Sequence, residues 1–241
     1  MAALLEVENL SKSFRGLRAV AEVSFSVEER GIVALIGPNG AGKTTCFNLI
    51  AGAMQPDSGH VRLAGSEITG LRADRICDAG IGRTFQLVKP FQDLTVLENV
   101  TVGALHNSAT VAEAKREAAR NLELLELGDK RHMHAANLTL PDRKRLEVAR
   151  ALATKPRLLL LDEVMAGLRP TETDRMVAVL KRLRSESGLT ILLIEHVMRA
   201  VMALSDRVVV LHHGEKISEG TPAQVTKDPA VLECYLGEGA I

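Results

Sequence analysis

Residues 37–45 read GPNGAGKTT, directly after the apolar run IVALI at 32–36. The run reads as a buried strand. The residues that follow carry Phe47, Ile50, Ala51 and Met54 at helical spacing, so they read as an amphipathic helix. A strand, a G-x-x-x-x-G-K-T loop and a helix in that order make a phosphate cradle. The glycines let backbone N–H groups approach phosphate oxygens closely, at the positive end of the helix dipole. On this reading Gly37, Pro38, Asn39, Gly40, Ala41, Gly42, Lys43, Thr44 and Thr45 hold a nucleoside triphosphate. Lys43 supplies a point charge for the β- and γ-phosphates, and the Thr44 hydroxyl is a ligand for Mg²⁺.

Outward from this loop, short apolar strands alternate with helical patterns, the signature of an α/β fold with a mostly parallel sheet. The expected parallel strands are residues 32–36, 81–86, 158–161, 191–194 and 208–211. The opening differs: residues 4–9 and 20–27 alternate as an antiparallel β patch, with a turn at Arg15 and Gly16. Between about 94 and 155 the strand signal vanishes and helices dominate, a helical insertion within a single domain spanning 1–241. Thr171 and Asp174 form a Thr-x-x-Asp capping pattern ahead of Met176, Leu180 and Leu183, which share a helix face. The run LLLLDE delivers Asp162 and Glu163 at a strand's carboxyl end, where α/β sheets bind ligands. Asp162 suits Mg²⁺, and Glu163 suits orienting and deprotonating a water for attack on the γ-phosphate.

Composition limits the alternatives. The 241 residues are 46% hydrophobic with a formal net charge of zero, which fits one α/β domain and disfavours nucleic acid as a partner. The longest apolar runs are about a quarter of a membrane span. The opening MAALLEVENL lacks the pattern of a signal peptide, so the chain is expected to stay in the cytosol. Cys46, Cys77 and Cys234 are odd in number and far apart, against a disulfide framework or a zinc site. The pairs His132/His134 and His212/His213 lack further ligands, so no metal other than Mg²⁺ is expected. Arg143, Lys144 and Arg145 read as a solvated helix face.

Taken in order, GPNGAGKTT, the glutamine of RTFQ, LLLLDE and the histidine of LLIEH resemble the ATP-binding cassette family over nearly the whole chain. Singly, Gln86 is a strand end, His196 a structural histidine and Phe14 a core aromatic; their joint order is what carries the likeness. The resemblance implies an ATP and Mg²⁺ site in which Phe14 of SKSF stacks on adenine. By the same likeness Gln86 touches Mg²⁺ and the attacking water, His196 contacts the γ-phosphate, and residues 166–169 face a partner.

Cassette proteins carry LSGGQ where this chain has LTLPD, residues 138–142, ahead of Ala149, Arg150, Ala151 and Leu152. In the family that loop closes the opposite chain's nucleotide site with a serine hydroxyl and glycine N–H groups. Thr139 keeps a hydroxyl, but Pro141 has no N–H, and Asp142 brings a negative charge near the expected phosphate. Thr139 and Asp142 also form a helix-capping pattern. One lost contact to a charged oxygen is worth roughly 1.5–3 kcal/mol, enough to unbalance two sites. The expected partner is therefore a second, different cassette ATPase subunit, with a homodimer as the alternative. The stretches RTFQLVKPFQDLTVLENV, DEVMAGLRP and TPAQVTKDPAVLECYLG resemble ATP-binding subunits of branched-chain amino-acid importers and their urea or amide relatives. That likeness implies a peripheral subunit on the cytoplasmic face of the membrane. Its segment at about 87–105, with Val88, Phe91 and Leu94, would receive a helix of a transmembrane permease subunit. Two other readings stay open: a non-transport cassette ATPase working on nucleic acid or ribosomes, and a small-molecule kinase enlisting Arg83 and Arg169.

Overall fold

In a computed structural model, which describes residues 2–86 and 89–236, the fold opens with a hairpin of two long strands, β1 (Ala3–Phe14) and β2 (Leu17–Glu28). Then come β3 (Ile32–Ile36), α1 (Lys43–Ile50), β4 (Ser58–Leu63), β5 (Ser66–Glu67), α2 (Ala73–Asp78) and β6 (Ile81–Arg83). Three helices follow, α3 (Val96–Ala104), α4 (Val111–Leu124) and α5 (Leu140–Leu152). The chain closes with β7 (Leu158–Asp162), α6 (Pro170–Ser187), β8 (Thr190–Ile194), α7 (Met198–Leu204), β9 (Arg207–His212), β10 (Glu215–Gly220), α8 (Pro222–Val225) and α9 (Pro229–Leu236). One sheet is antiparallel, in the order β2-β1-β4-β5; the other runs β10-β9-β3-β8-β7-β6, parallel except where β10 pairs with β9.

Four strands of the second sheet are apolar at almost every position because both of their faces are covered. Ile32, Ala34, Leu159, Leu161, Ile191 and Leu193 face a core built with α3, α4, α5 and α6. Their neighbours Val33, Leu35, Leu158, Leu160, Leu192 and Ile194 face the other core, closed by α1 and the antiparallel sheet. The period of two thus sorts one run of residues between two cores.

The hairpin strands extend several residues past the alternation, and Phe14 pairs with Leu17 around the expected turn. Two expectations need correction. The strand expected at 81–86 ends at Arg83, because the Thr84 hydroxyl takes the Asp162 N–H at 3.0 Å and ends regular pairing there. The helix expected to be capped by Thr171 and Asp174 begins two residues earlier than that cap requires, at Pro170, whose fixed φ suits a first helical position. Glu172 accepts the Arg169 N–H at 2.8 Å, while Asp174 reaches across to Arg199 of α7 at 2.6 Å. In the insertion, Thr95 and Glu98 form a reciprocal cap on α3. The buried Asn99 amide bonds the Phe91 N–H at 2.9 Å and the Phe91 carbonyl at 3.0 Å, which fastens the preceding loop to the helix.

Candidate active site

Parallel pairing brings the carboxyl ends of β3, β7 and β8 to one edge of the sheet. The glycine-rich loop leaves β3 there. Gly37 and Gly42 have φ of 147° and 99°, where side-chain-bearing residues are strained. A Cβ on Gly37 would lie 2.0 Å from the Leu211 carbonyl, and one on Gly42 2.2 Å from that of Ala19. The two glycines of the motif are thus set by neighbouring backbone as well as by ligand approach. The first turn of α1 has no acidic residue and no side-chain cap, which leaves its N–H groups to an anion. Lys43 is buried, its ammonium donating to the Gly37 and Pro38 carbonyls at 2.8 and 2.7 Å.

A cleft of about 290 Å³ opens beside this loop, lined by residues 39–45 and, across from them, Gln86, Glu163 and His196. Glu163 is the hub of the far wall. Its Oε2 accepts from Gln86 Nε2 at 2.9 Å, and its Oε1 lies 2.7 Å from His196 Nε2. Two polar side chains, from the segments that follow β6 and β8, therefore converge on the carboxylate that follows β7, an arrangement able to orient a water and take its proton. Next to it Asp162 is buried, with Oδ2 accepting from Arg83 at 3.2 Å and Oδ1 unpartnered. Burial pushes the Asp162 carboxyl above its usual range, against the pull of the Arg83 guanidinium. Thr44, Gln86 and Asp162 line one adjoining cleft of about 460 Å³. A half-satisfied buried carboxylate facing a hydroxyl and an amide oxygen fits a hard divalent cation.

Phe14 stands apart: it is exposed at the hairpin tip with the Lys12 ammonium 5.9 Å from its ring centre, and its strand partner Leu17 lines the cleft instead. The expectation for Asp142 is corrected. Its carboxylate is buried, held by Lys130 and by Arg145 at 2.5 Å, so its charge is turned inward rather than offered to a phosphate. These partners hold Asp142 below the usual carboxylate range even though burial opposes them. Thr139 does sit at the cap position of α5, but its hydroxyl donates to Asp142 at 2.8 Å instead of capping a backbone N–H. The solvated basic face is corrected too. Lys144 and Arg145 are buried, Arg145 reaching Glu126 at 3.2 Å and Lys144 the Glu163 carbonyl at 2.8 Å.

The fold brings to the site Glu195, which the sequence reading passed over, and Arg83 and His213, which it weighed only for a kinase and for a metal pair. Arg83 ties Asp162 to Asn48 of α1, where its other nitrogen donates at 2.7 Å. His213 lines the cleft from the β9–β10 turn. Glu195, beside His196, is buried, and burial lifts its carboxyl to about 7. A charged residue ending an apolar strand was the available signal for Glu195; nothing local pointed Arg83 toward Asp162 or His213 toward the cleft.

Residues 20–166 match the ABC transporter family, and residues 215–241 match the branched-chain amino acid ATP-binding cassette transporter family. The chain is 43% identical to the high-affinity branched-chain amino acid transport ATP-binding protein BraF of Pseudomonas aeruginosa, over 98% of each chain. It is 42% identical to LivG of Salmonella typhimurium, a protein of the same description, again over 98% of each. The ADP conformation of the ATP-binding cassette MJ1267 superposes with a TM-score of 0.90 at 31% identity, covering 98% of this chain and 100% of that one. With the phosphate loop, the acidic strand end and these likenesses in agreement, the chain belongs to the ATP-binding cassette transporter family, as an ATP-hydrolysing subunit.

Proposed function

We propose that this chain powers uptake of branched-chain amino acids or related small solutes through a membrane permease, working as a peripheral subunit on the cytoplasmic face of the membrane. The observation that carries the reading is the convergence of Gln86, Glu163 and His196 opposite the phosphate loop, within family likeness to branched-chain amino acid transport ATP-binding proteins. Among the described residues no helix is long and apolar enough to cross a membrane, so the solute pathway falls to other subunits.

In this reading Gly37, Pro38, Asn39, Gly40, Ala41, Gly42, Lys43, Thr44 and Thr45 grip the triphosphate and Phe14 stacks on adenine. Thr44, Gln86 and Asp162 hold Mg²⁺, which neutralises charge on the β- and γ-phosphates when bound. Glu163 takes the proton of the attacking water, Gln86 orients that water, and His196 steadies Glu163 and meets the γ-phosphate. Closure over ATP drives the permease only if ATP prefers the closed state by a few kcal/mol.

The assembly reading is a heterodimer of ATPase subunits. Pro141 brings no N–H to the partner's site, and Thr139 spends its hydroxyl on Asp142, so this chain closes its partner's site weakly. The permease is received at about 87–105. An adjoining groove of about 310 Å³, with Ala51, Ile76, Phe85 and Val102 on its walls, supports that placement, and Phe85 and Val102 are exposed. Phe91 is exposed, whereas Leu94 is half-buried; Leu87 and Val88 lie outside the described residues.

Phosphate release from Mg²⁺-ATP without added acceptor tests the chemistry, and calorimetry tests Mg²⁺-dependent ATP uptake. Absence of nucleotide binding by folded protein refutes the reading. For the assembly, Glu163→Gln in this chain and the matching change in a co-purified partner ATPase are expected to lower hydrolysis unequally; equal losses count against asymmetry.

A further inference from the structure

The turn that carries Glu163 is held from two sides by buried charges that the chemistry above does not use. Lys144, on α5, donates its ammonium to the Glu163 carbonyl at 2.8 Å. Glu195, just past β8, accepts the Met165 N–H at 2.9 Å, and its other oxygen is buried without a partner. Between these anchors Glu163 adopts φ 51°, a left-handed conformation that strains a residue with a side chain and persists only where its surroundings over-determine it. Two backbone bonds help, from Glu163 N–H to the Ile194 carbonyl at 2.9 Å and from Ala166 N–H to the Glu163 carbonyl at 3.2 Å. They leave the far side of the turn to Lys144 and Glu195.

Burying an ammonium for a carbonyl and a carboxylate for one amide is a costly way to fix a turn. Burial pushes the Lys144 ammonium below, and the Glu195 carboxyl above, their usual ranges. What the arrangement secures is direction. The Glu163 side chain leaves the turn toward Gln86 and His196, and a tilt of the turn would swing both oxygens away from them. We propose that Lys144 and Glu195 are positioning residues for Glu163, clamping the 163–165 turn so that its carboxylate stays aimed across the nucleotide cleft. Because Lys144 sits on α5, the helix capped at Thr139, the aim of Glu163 depends on where that helix stands. The proposal rests on the assignment of Glu163 as the carboxylate that primes water.

The test uses the full-length chain with Lys144→Met, Lys144→Arg, Glu195→Gln and Glu195→Leu, each with and without Glu163→Gln. Phosphate release is followed across Mg²⁺-ATP concentrations, and amide hydrogen exchange across residues 163–168. Lys144→Met is expected to lower kcat by about tenfold or more with KM within about twofold, and Lys144→Arg to recover most of it. In the Glu163→Gln background the same change should cost less than about twofold, because residues acting as a unit are not additive. Exchange at 163–168 should quicken by about tenfold in Lys144→Met and Glu195→Leu, much less in Lys144→Arg and Glu195→Gln, with β3 and β8 unaltered. Unchanged exchange overturns the clamp even if hydrolysis is undetectable. Quickened exchange with an equal loss of rate in both backgrounds overturns the link to Glu163. If Glu163→Gln alone leaves kcat unaltered, the assignment of Glu163 has failed instead, and the exchange data still judge the clamp.

Discussion

Replacing Glu163 by Gln isolates the chemical step, because the side chain keeps its shape and loses its ability to take a proton. The wild-type carboxylate receives Gln86 and lies beside His196, at 2.9 and 2.7 Å. An amide keeps one acceptor oxygen for Gln86, and its NH2 group meets His196 only when Nε2 is the accepting nitrogen, so at most one of those contacts is lost. Gln86 is exposed and the His196 side chain is 40% exposed, so water takes up the freed group and stability changes by no more than about 1 kcal/mol. The glycine-rich loop lies across the cleft and is untouched, so ATP affinity should stay within about threefold. Loss of the base should slow hydrolysis about 10²- to 10⁴-fold, or roughly 2.7 to 5.4 kcal/mol of barrier at 1.36 kcal/mol per decade. Single-turnover phosphate release with protein in excess separates this step from product release. A variant that binds Mg²⁺-ATP normally and hydrolyses it at the parental single-turnover rate would refute the assignment of Glu163.

Three further outcomes are expected. Lys43→Ala removes the ammonium held by the Gly37 and Pro38 carbonyls and should abolish measurable ATP affinity in calorimetry; retained hydrolysis at the parental rate contradicts the site. Asp142→Ala leaves Arg145 and Lys130 without their shared carboxylate and should cost about 3 kcal/mol in urea unfolding, the low end for a broken buried pair since Lys130 is half exposed. Because Asp142 is held below its unfolded value, its contribution is complete above that value and lost as pH falls through the folded one, and the parental-minus-variant difference should shrink in acid. Glu195 has the opposite sign. Its carboxyl, facing Lys144, Glu163 and His196, binds its proton more tightly folded than unfolded, so stability declines as pH rises from about 4.5 to about 7, and Glu195→Gln should flatten that decline.

Features whose cause is local were legible in the sequence. GPNGAGKTT announces itself because Gly37 and Gly42 occupy conformations that only glycine adopts freely. Asp162 and Glu163 stand out because a buried strand has to end in something polar at its ligand-bearing edge. The basic stretch at 143–145 misled for the converse reason. On a helix drawn alone it reads as solvated, and only Glu126 and the Glu163 carbonyl, 19 residues away on either side, make burial tolerable. Asp142 needed Lys130 in the same way. The start of α6 was misplaced by two residues because Thr171 looked like a cap, when the Arg169 N–H had a better acceptor in Glu172.

The residues that misled are those that join elements. Asp142 and Arg145 bind the start of α5 to Lys130 and Glu126, and Glu126 is shared with Arg175 on α6. Between Asp142 and Arg145 on the same turn, Lys144 reaches the Glu163 carbonyl. The start of α5, the beginning of α6 and the turn between β7 and α6 are therefore tied by charged groups rather than by apolar contact alone. Apolar packing tolerates sliding in many directions, whereas a buried ion pair or a charge-assisted hydrogen bond is lost within about an ångström of displacement. A partner that pushes on the start of α5 thus has a stiff route to the carboxylate at the centre of the cleft. The proposed weakness of LTLPD toward a partner's phosphate rests on the same wiring, since the Thr139 hydroxyl and the Asp142 carboxylate are committed inward, to holding that route together.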